Sequence, residues 1–252
     1  MNRWAQRVRG DRPRFGMWAA TGSPYVTEIV AGSGTDWLLL DQEHAPNDIT
    51  STLAQLQVLA GYPDVDVVVR PPSADPVGIK RLLDIGVTNL MVPMVDTPEQ
   101  AAAAVAATRY PPAGIRGVGA ALARASAWNR ISDYLVTAHD GISLTVQVET
   151  VAALQALPQI CAVPGVAGVF IGPADLAASM GRLGKPEGDD VVEAIEQALG
   201  VISAAGIGAG VNAFNETIAR RYLAAGAGFV LVGADAALIA RGADQLVRRY
   251  RS

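Results

Sequence analysis

One cysteine, two histidines and two lysines are all that this 252-residue chain offers of the side chains that most often carry covalent or soft-metal chemistry. Each scarcity excludes something. A lone Cys161 cannot build an internal disulfide framework or a cysteine-ligated zinc site, and its neighbours Ile160, Ala162 and Val163 mark it as a packing residue. Lys80 falls mid-helix and Lys185 in a glycine-flanked loop, so neither reads as a Schiff-base amine in an apolar pocket at a strand end. With two histidines and no useful cysteine, zinc held by nitrogen and sulfur is poorly supplied. No run of about 18 uninterrupted apolar residues occurs, and the charged start Met1 to Arg7 is not followed by a signal-like apolar stretch. A cytoplasmic protein with no membrane partner is the expectation. Net charge is only -4 and the arginines are scattered, which argues against a nucleic-acid surface. Small-molecule chemistry remains.

What the chain has in plenty is apolar residues, 50% of the total, enough for one large core spanning residues 1–252. They fall in short apolar runs alternating with longer amphipathic stretches. Strands are expected over Phe15 to Ala19, Trp37 to Leu40, Val67 to Arg70, Leu90 to Val92, Leu144 to Glu149, Val169 to Ile171, Ala209 to Val211 and Phe229 to Val232. Helices are expected over Pro24 to Ala31, Ile49 to Ala60, Pro76 to Ile85, Pro98 to Thr108, Val151 to Ile160, Val191 to Ala205, Glu216 to Ala225 and Ala236 to Arg249, several behind capping residues such as Asp48, Asp75 and Asn215. The strands are continuously apolar, as in a sheet covered on both faces. Eight strand-helix units in about 250 residues is the size of an α/β (β/α)8 TIM barrel. Tyr110 to Trp128, with its prolines and glycines, is the one long irregular piece expected, and such a loop is usually functional or at an interface.

Reactive groups in such a barrel sit at the carboxyl ends of the strands. This chain places there Trp18, then Asp41-Gln42-Glu43-His44, Arg70, Gln147 and Glu149, Ala174 and Asp175, Asn212, and Gly233 with Asp235. Because strand side chains alternate faces, Gln147 and Glu149 point the same way, and Asp175 follows the next strand. Two carboxylates, Glu149 and Asp175, therefore meet at one strand-end face as candidate ligands of a hard divalent ion such as Mg2+ or Mn2+. His44 stands three residues after Asp41, a carboxylate able to orient the ring for general-base work. His139 lies in a helical stretch far from any strand end and is expected on the surface.

Five ordered segments carry a resemblance: 37–47 with Asp41-Gln42-Glu43-His44, Val69-Arg70-Pro71, the run 109–119, Val146 to Thr150, and 169–176 with Gly172-Pro173-Ala174-Asp175. They look like the 4-hydroxy-2-oxoheptanedioate aldolase family, class II pyruvate aldolases of the phosphoenolpyruvate/pyruvate barrel superfamily. That resemblance implies a metal-dependent lyase cleaving 4-hydroxy-2-keto acids to pyruvate and an aldehyde. It implies Glu149 and Asp175 as ligands of Mg2+, Mn2+ or Co2+, with pyruvate chelated near Gln147 and its carboxylate on the N–H groups of Ala174 and Asp175. It makes Arg70 the stabiliser of the enolate, His44 paired with Asp41 the acid/base, and Asp84 a visitor from a neighbouring subunit. It further implies a homohexamer, a dimer of trimers with the last helix exchanged, working in catabolism of aromatic- or sugar-derived keto acids.

For the distal end of the substrate, Arg116 and Arg124 in the glycine-rich loop are candidates for a carboxylate, and Asn212 offers a polar wall on the aldehyde side. A superfamily lyase acting on a CoA thioester, or an oxaloacetate decarboxylase, is the alternative. A barrel without catalysis is a remote one, disfavoured by the intact set of His44, Arg70, Glu149 and Asp175.

Overall fold

The computed structural model describes residues 2–10 and 12–251. Eight parallel strands, β1 (Arg14–Ala19), β2 (Trp37–Asp41), β3 (Asp66–Arg70), β4 (Asn89–Val92), β5 (Ser143–Val148), β6 (Val166–Ile171), β7 (Gly208–Asn212) and β8 (Phe229–Ala234), pair in sequence order and close on themselves. The helices are α1 (Arg3–Arg7), α2 (Pro24–Ala31), α3 (Ile49–Leu59), α4 (Pro76–Asp84), α5 (Pro98–Ala107), α6 (Tyr134–Thr137), α7 (Val151–Gln155), α8 (Leu157–Cys161), α9 (Pro173–Ser179), α10 (Asp189–Ala204), α11 (Glu216–Ala224) and α12 (Asp235–Arg251). Each of the eight expected strands is present, and the fold is the expected (β/α)8 barrel.

Local chemistry explains where helices begin. Asp48, Asp75 and Asn215 each accept backbone N–H groups of the first turn of α3, α4 and α11, so the expected caps hold. Proline opens α2, α4, α5 and α9, where its missing N–H costs nothing. The single helix expected over Val151 to Ile160 is instead two, α7 and α8, broken at Ala156 ahead of Pro158. Helices α1 and α9 were not anticipated, being only five and seven residues long.

Two apolar clusters hold the barrel. One lies between the strands and the helical ring, and Cys161 sits in it, its thiol pushed up to about 11 by burial, as expected of a packing residue. The other fills the barrel interior: Trp4, Val8, Trp37, Leu39, Val68, Met91, Phe170, Phe229 and Leu231. Its aromatic layer closes the amino-terminal end of the barrel, with Trp4 5.1 Å from Trp37 and 5.4 Å from Phe229 between ring centroids. Glycine makes room for it, since a Cβ at Gly16 would strike the Trp37 ring and one at Gly210 the Phe229 ring. Beside this plug Arg3 and Arg7 both reach the buried Asp66 at 2.7 Å.

The irregular connection is longer than expected, running from 108 to 142 with three short 3-10 turns and α6. It links a helix to the strand that follows, and in a barrel all such links lie at the amino-terminal face, opposite the strand ends that carry chemistry.

Candidate active site

At the carboxyl-terminal face, β2 ends at Asp41 and β3 at Arg70, which are register partners. The two side chains therefore meet in a fork: Arg70 Nε donates to Asp41 Oδ1 at 2.8 Å and Nη2 to Oδ2 at 2.9 Å. The guanidinium carbon lies 4.4 Å from the Trp18 ring centroid at the end of β1. Trp18 in turn donates its Nε1–H to Oδ1 of Asn212 at 2.9 Å, at the end of β7. On the other side Arg70 Nη1 donates to Gln147 Oε1 at 3.2 Å. Gln147 Nε2 donates to Glu149 Oε2, and Glu149 Oε1 accepts the backbone N–H of Met94 at 2.9 Å. One unbroken chain thus runs from Asn212 through Trp18, Arg70 and Gln147 to Glu149.

Two backbone features shape the acidic end. Met94 has φ 54°, the left-handed region that a residue with a side chain enters at a cost of about 1–3 kcal/mol, and there its N–H meets Glu149. Gly172 has no room for a side chain, because an added Cβ would stand 2.5 Å from Glu149 Oε2 and 3.0 Å from Gln147 Nε2. That close approach brings the first turn of α9, with Ala174 and Asp175, over the buried glutamate, and no side chain caps this turn. Glu149 is 2% exposed, whereas Asp175 faces solvent.

Electrostatically the face is out of balance. Asp41, Glu43, Glu149 and Asp175 gather around the one guanidinium of Arg70 among the described residues of this cluster. Burial pushes the Glu149 carboxyl up; bonds from Gln147 and Met94 oppose this, while Asp175 and Glu43 add to it by repulsion. Burial likewise raises Glu43, against the pull of Arg70 and His44.

The residues present fit a hard divalent ion. The excess of carboxylates is relieved by two positive charges, and Glu149 and Asp175 supply oxygen donors without nitrogen or sulfur competition. Among the described residues no group of three or more His, Cys, Asp or Glu is placed to hold a metal ion; an ion held by two carboxylates would take its other ligands from water or substrate oxygens.

Several sequence-derived placements need correction. Asp41 and His44 share this loop, but Asp41 does not hold the imidazole. Its oxygens take Arg70 and the backbone N–H groups of Glu43 and His44, at 3.0 and 3.3 Å. The His44 ring is 66% exposed, and its nearest carboxylate is Glu43, 3.9 Å from Nε2. Arg124 does not reach this chain's strand-end face; Asp84, expected there only from a neighbouring subunit, lies away from its own chain's strand ends. Asp84 ends α4 at the amino-terminal face and accepts Arg116 Nη2 at 2.8 Å. Arg116 is fully buried over the Tyr110 ring; burial works against its charge, and the bonds it donates to Asp84 and Tyr134 more than offset this. Arg124 donates to the Ile85 carbonyl at 2.8 Å and lines a cavity with Trp4, Asp66 and Asn89 beneath the barrel. The reason is topological: a loop from α5 to β5 cannot lie with the strand ends. His139 is exposed in a 3-10 turn, as expected.

Sequence reasoning missed Glu43 and Met94. Glu43, part of the Asp41 to His44 segment, sits between His44 and Arg70. Met94 follows β4, the one strand whose end had been given no residue, and Pro93 before it was the available signal.

The HpcH/HpaI aldolase/citrate lyase family profile matches residues 14–241. The chain is 57% identical over 250 residues to a hydroxypyruvate/pyruvate aldolase of Deinococcus radiodurans, covering 99% of this chain and 90% of that one. It is 53% identical over 249 residues to a 4-hydroxy-2-oxo-heptane-1,7-dioate aldolase of Klebsiella pneumoniae, covering 99% and 94%. Among solved structures, an HpcH/HpaI aldolase/citrate lyase family protein of Burkholderia cenocepacia superposes with a TM-score of 0.94 at 40% identity, covering all of both chains.

Proposed function

The chain belongs to the HpcH/HpaI aldolase/citrate lyase family, and from that premise we propose that it is a divalent-metal-dependent class II aldolase. It is a carbon-carbon lyase that reversibly cleaves 4-hydroxy-2-oxoheptane-1,7-dioate and related 4-hydroxy-2-keto acids to pyruvate and an aldehyde. The observation that carries this reading is the linked cluster of Arg70, Gln147 and Glu149 beneath Asp175, one fixed cation beside an excess of carboxylates.

Cleaving the C3–C4 bond leaves charge on the C2 oxygen, and the residues that meet that charge must not move to do so. Arg70 is held by Asp41, by Gln147 and by the Trp18 face, so its guanidinium is already in place. Glu149 and Asp175 would hold a divalent ion, Mg2+, Mn2+ or Co2+, which would supply Lewis-acid stabilisation of the same oxygen. The first-turn N–H groups of Ala174 and Asp175 receive the substrate carboxylate. His44 stands free at the mouth to take the C4 hydroxyl proton and later to return a proton at C3. Asn212 has its oxygen engaged by Trp18, leaving its NH2 for the aldehyde side.

The test is pyruvate release from 4-hydroxy-2-oxoheptanedioate by chelator-stripped protein, with and without Mg2+ or Mn2+. Metal-restored release is expected. No release with any ion would remove the substrate assignment and direct attention to oxaloacetate and CoA thioesters. The relative at 57% identity makes hydroxypyruvate the second donor to compare in the aldol direction.

A homo-oligomer, a hexamer with the last helix exchanged, accompanies this reading. Of α12 only Asp235 is buried, while Leu238, Ile239, Leu246, Val247 and Tyr250 are exposed. A cavity of about 410 Å³ lined by Phe15, Phe214, Leu223 and Val232 lies open nearby, and Tyr25 and Ile29 of α2 are exposed. In such an assembly Asp84, held at the amino-terminal face by Arg116, reaches a proton-transfer histidine only from a neighbouring copy. Sedimentation of the full chain against a truncation after Asp235 tests it, with loss of the assembled species expected.

A further inference from the structure

The loop after β2 contains two carboxylates within reach of His44, and they are not equivalent. Asp41 is saturated: its two oxygens accept four donors, two from Arg70 and two backbone N–H groups. Nothing on it remains for an imidazole. Glu43 is the opposite case. Its side chain is 15% exposed, and Oε2 is buried with no hydrogen-bond donor. Arg70 Nη1 stands 3.0 Å from that oxygen as an ion pair without hydrogen-bond geometry, and one of its two N–H groups donates to Gln147. His44 Nε2 stands 3.9 Å from the same atom. The ion pair leaves a buried acceptor without a hydrogen-bond donor, and the donor that can satisfy it is the exposed ring next to it. The move required is about 1 Å, since N–H···O bonds close at about 2.9 Å.

We propose that Glu43 is a positioning residue of this reaction: it accepts the Nε2–H of His44, fixes the ring's tautomer, and leaves Nδ1 as the atom that takes and returns the substrate proton. The inference rests on the reading of His44 as the proton carrier. Its physical content is that the carboxylate tied to Arg70 is also the one that orients the imidazole, so the group meeting the C2 charge and the group moving the proton share one anchor. When Nδ1 is protonated, the ring charge lies against Glu43 and is stabilised there.

The experiment uses 15N-labelled, metal-free full-length protein, in which the imidazole nitrogens of the two histidines are read by long-range 1H–15N correlation. A His139→Gln variant assigns the signals of His44. In wild type a pattern dominated by the Nε2–H tautomer is expected. Glu43→Gln, which preserves volume, moves it to the mixed pattern of a free histidine, and Glu43→Asp moves it partly back. Turnover in Glu43→Gln is expected to fall about 10- to 100-fold, a part of what positioned proton transfer contributes, with the fall in kcat rather than KM. A His44 pattern that is unchanged in Glu43→Gln, or that moves only in Asp41→Asn, overturns the proposal. The nitrogen signals do not depend on catalysis. Unchanged turnover in His44→Ala would instead remove the proton-carrier reading and leave the Glu43 contact standing.

Discussion

The two ends of this barrel handle charge in opposite ways. At the amino-terminal face acids meet arginines in ample supply: Asp66 takes Arg3 and Arg7, Asp36 takes Arg12 and Arg14, and the aromatic plug of Trp4, Trp37 and Phe229 seals the interior. At the carboxyl-terminal face four carboxylates surround Arg70 alone, one glutamate oxygen has no donor, and Met94 is held in a strained conformation. At the first end each of these acids finds its counter-charges within the chain. The second, on the proposed function, leaves its excess of carboxylate for a cation and a substrate to balance, as expected of an end that does chemistry.

Substitutions at the two ends should therefore separate stability from activity. Replacing Glu149 or Asp175 by Ala is expected to bring pyruvate release to background and abolish Mn2+ binding in calorimetry, with the fold intact by circular dichroism. His44→Ala is expected to lower turnover by about 10²- to 10⁴-fold while Mn2+ still binds, which separates proton transfer from the ion. At the other end Trp4→Ala should cost about 3–5 kcal/mol in urea unfolding and leave kcat per folded molecule unchanged. An equal fall in kcat would break the division between the ends.

The pH dependence sharpens it further. The Glu149 carboxyl is raised in the fold above its ordinary 4.5, so between that value and the raised one the folded chain binds more protons than the unfolded. Without metal this group's contribution therefore falls as pH rises through that window and is best on its acid side. With Mn2+ the sign reverses, because the ion binds the deprotonated pair. Melting curves of wild type minus Glu149→Gln, with chelator and with Mn2+, check both signs. The smallest effect expected is at Asn212→Leu: loss of one hydrogen bond to Trp18, about 1 kcal/mol, and a few-fold change in the rate ratio for glyceraldehyde and succinic semialdehyde.

Much of the strand-end face could be read from the chain because parallel strands put their last residues in one plane. Trp18, Asp41, Arg70, Gln147, Glu149 and Asn212 all follow from finding eight apolar runs and taking the residues at or just past their carboxyl ends. What could not be read was pairing. Arg70 has several carboxylates within reach of its strand end, and only the register of β2 with β3 assigns it to Asp41. The loop arginines failed for a different reason. Arg116 and Arg124 were judged by charge, whereas their place between α5 and β5 already put them at the far end of the barrel. Met94 was invisible because its contribution is a backbone N–H, which no side-chain pattern encodes.

The four tryptophans of the chain divide along the same line. Trp4 and Trp37 are sealed in the plug and Trp128 is exposed on the loop beneath it, so these three sit away from the strand ends. Trp18 alone lies against Arg70, with its indole N–H on Asn212. Replacing the other three by phenylalanine leaves a single tryptophan, and it stands in the site. Its emission then reports the occupancy of the pocket and the stacking of the guanidinium in real time, turning a structural contact into an optical signal for ligands that undergo no reaction.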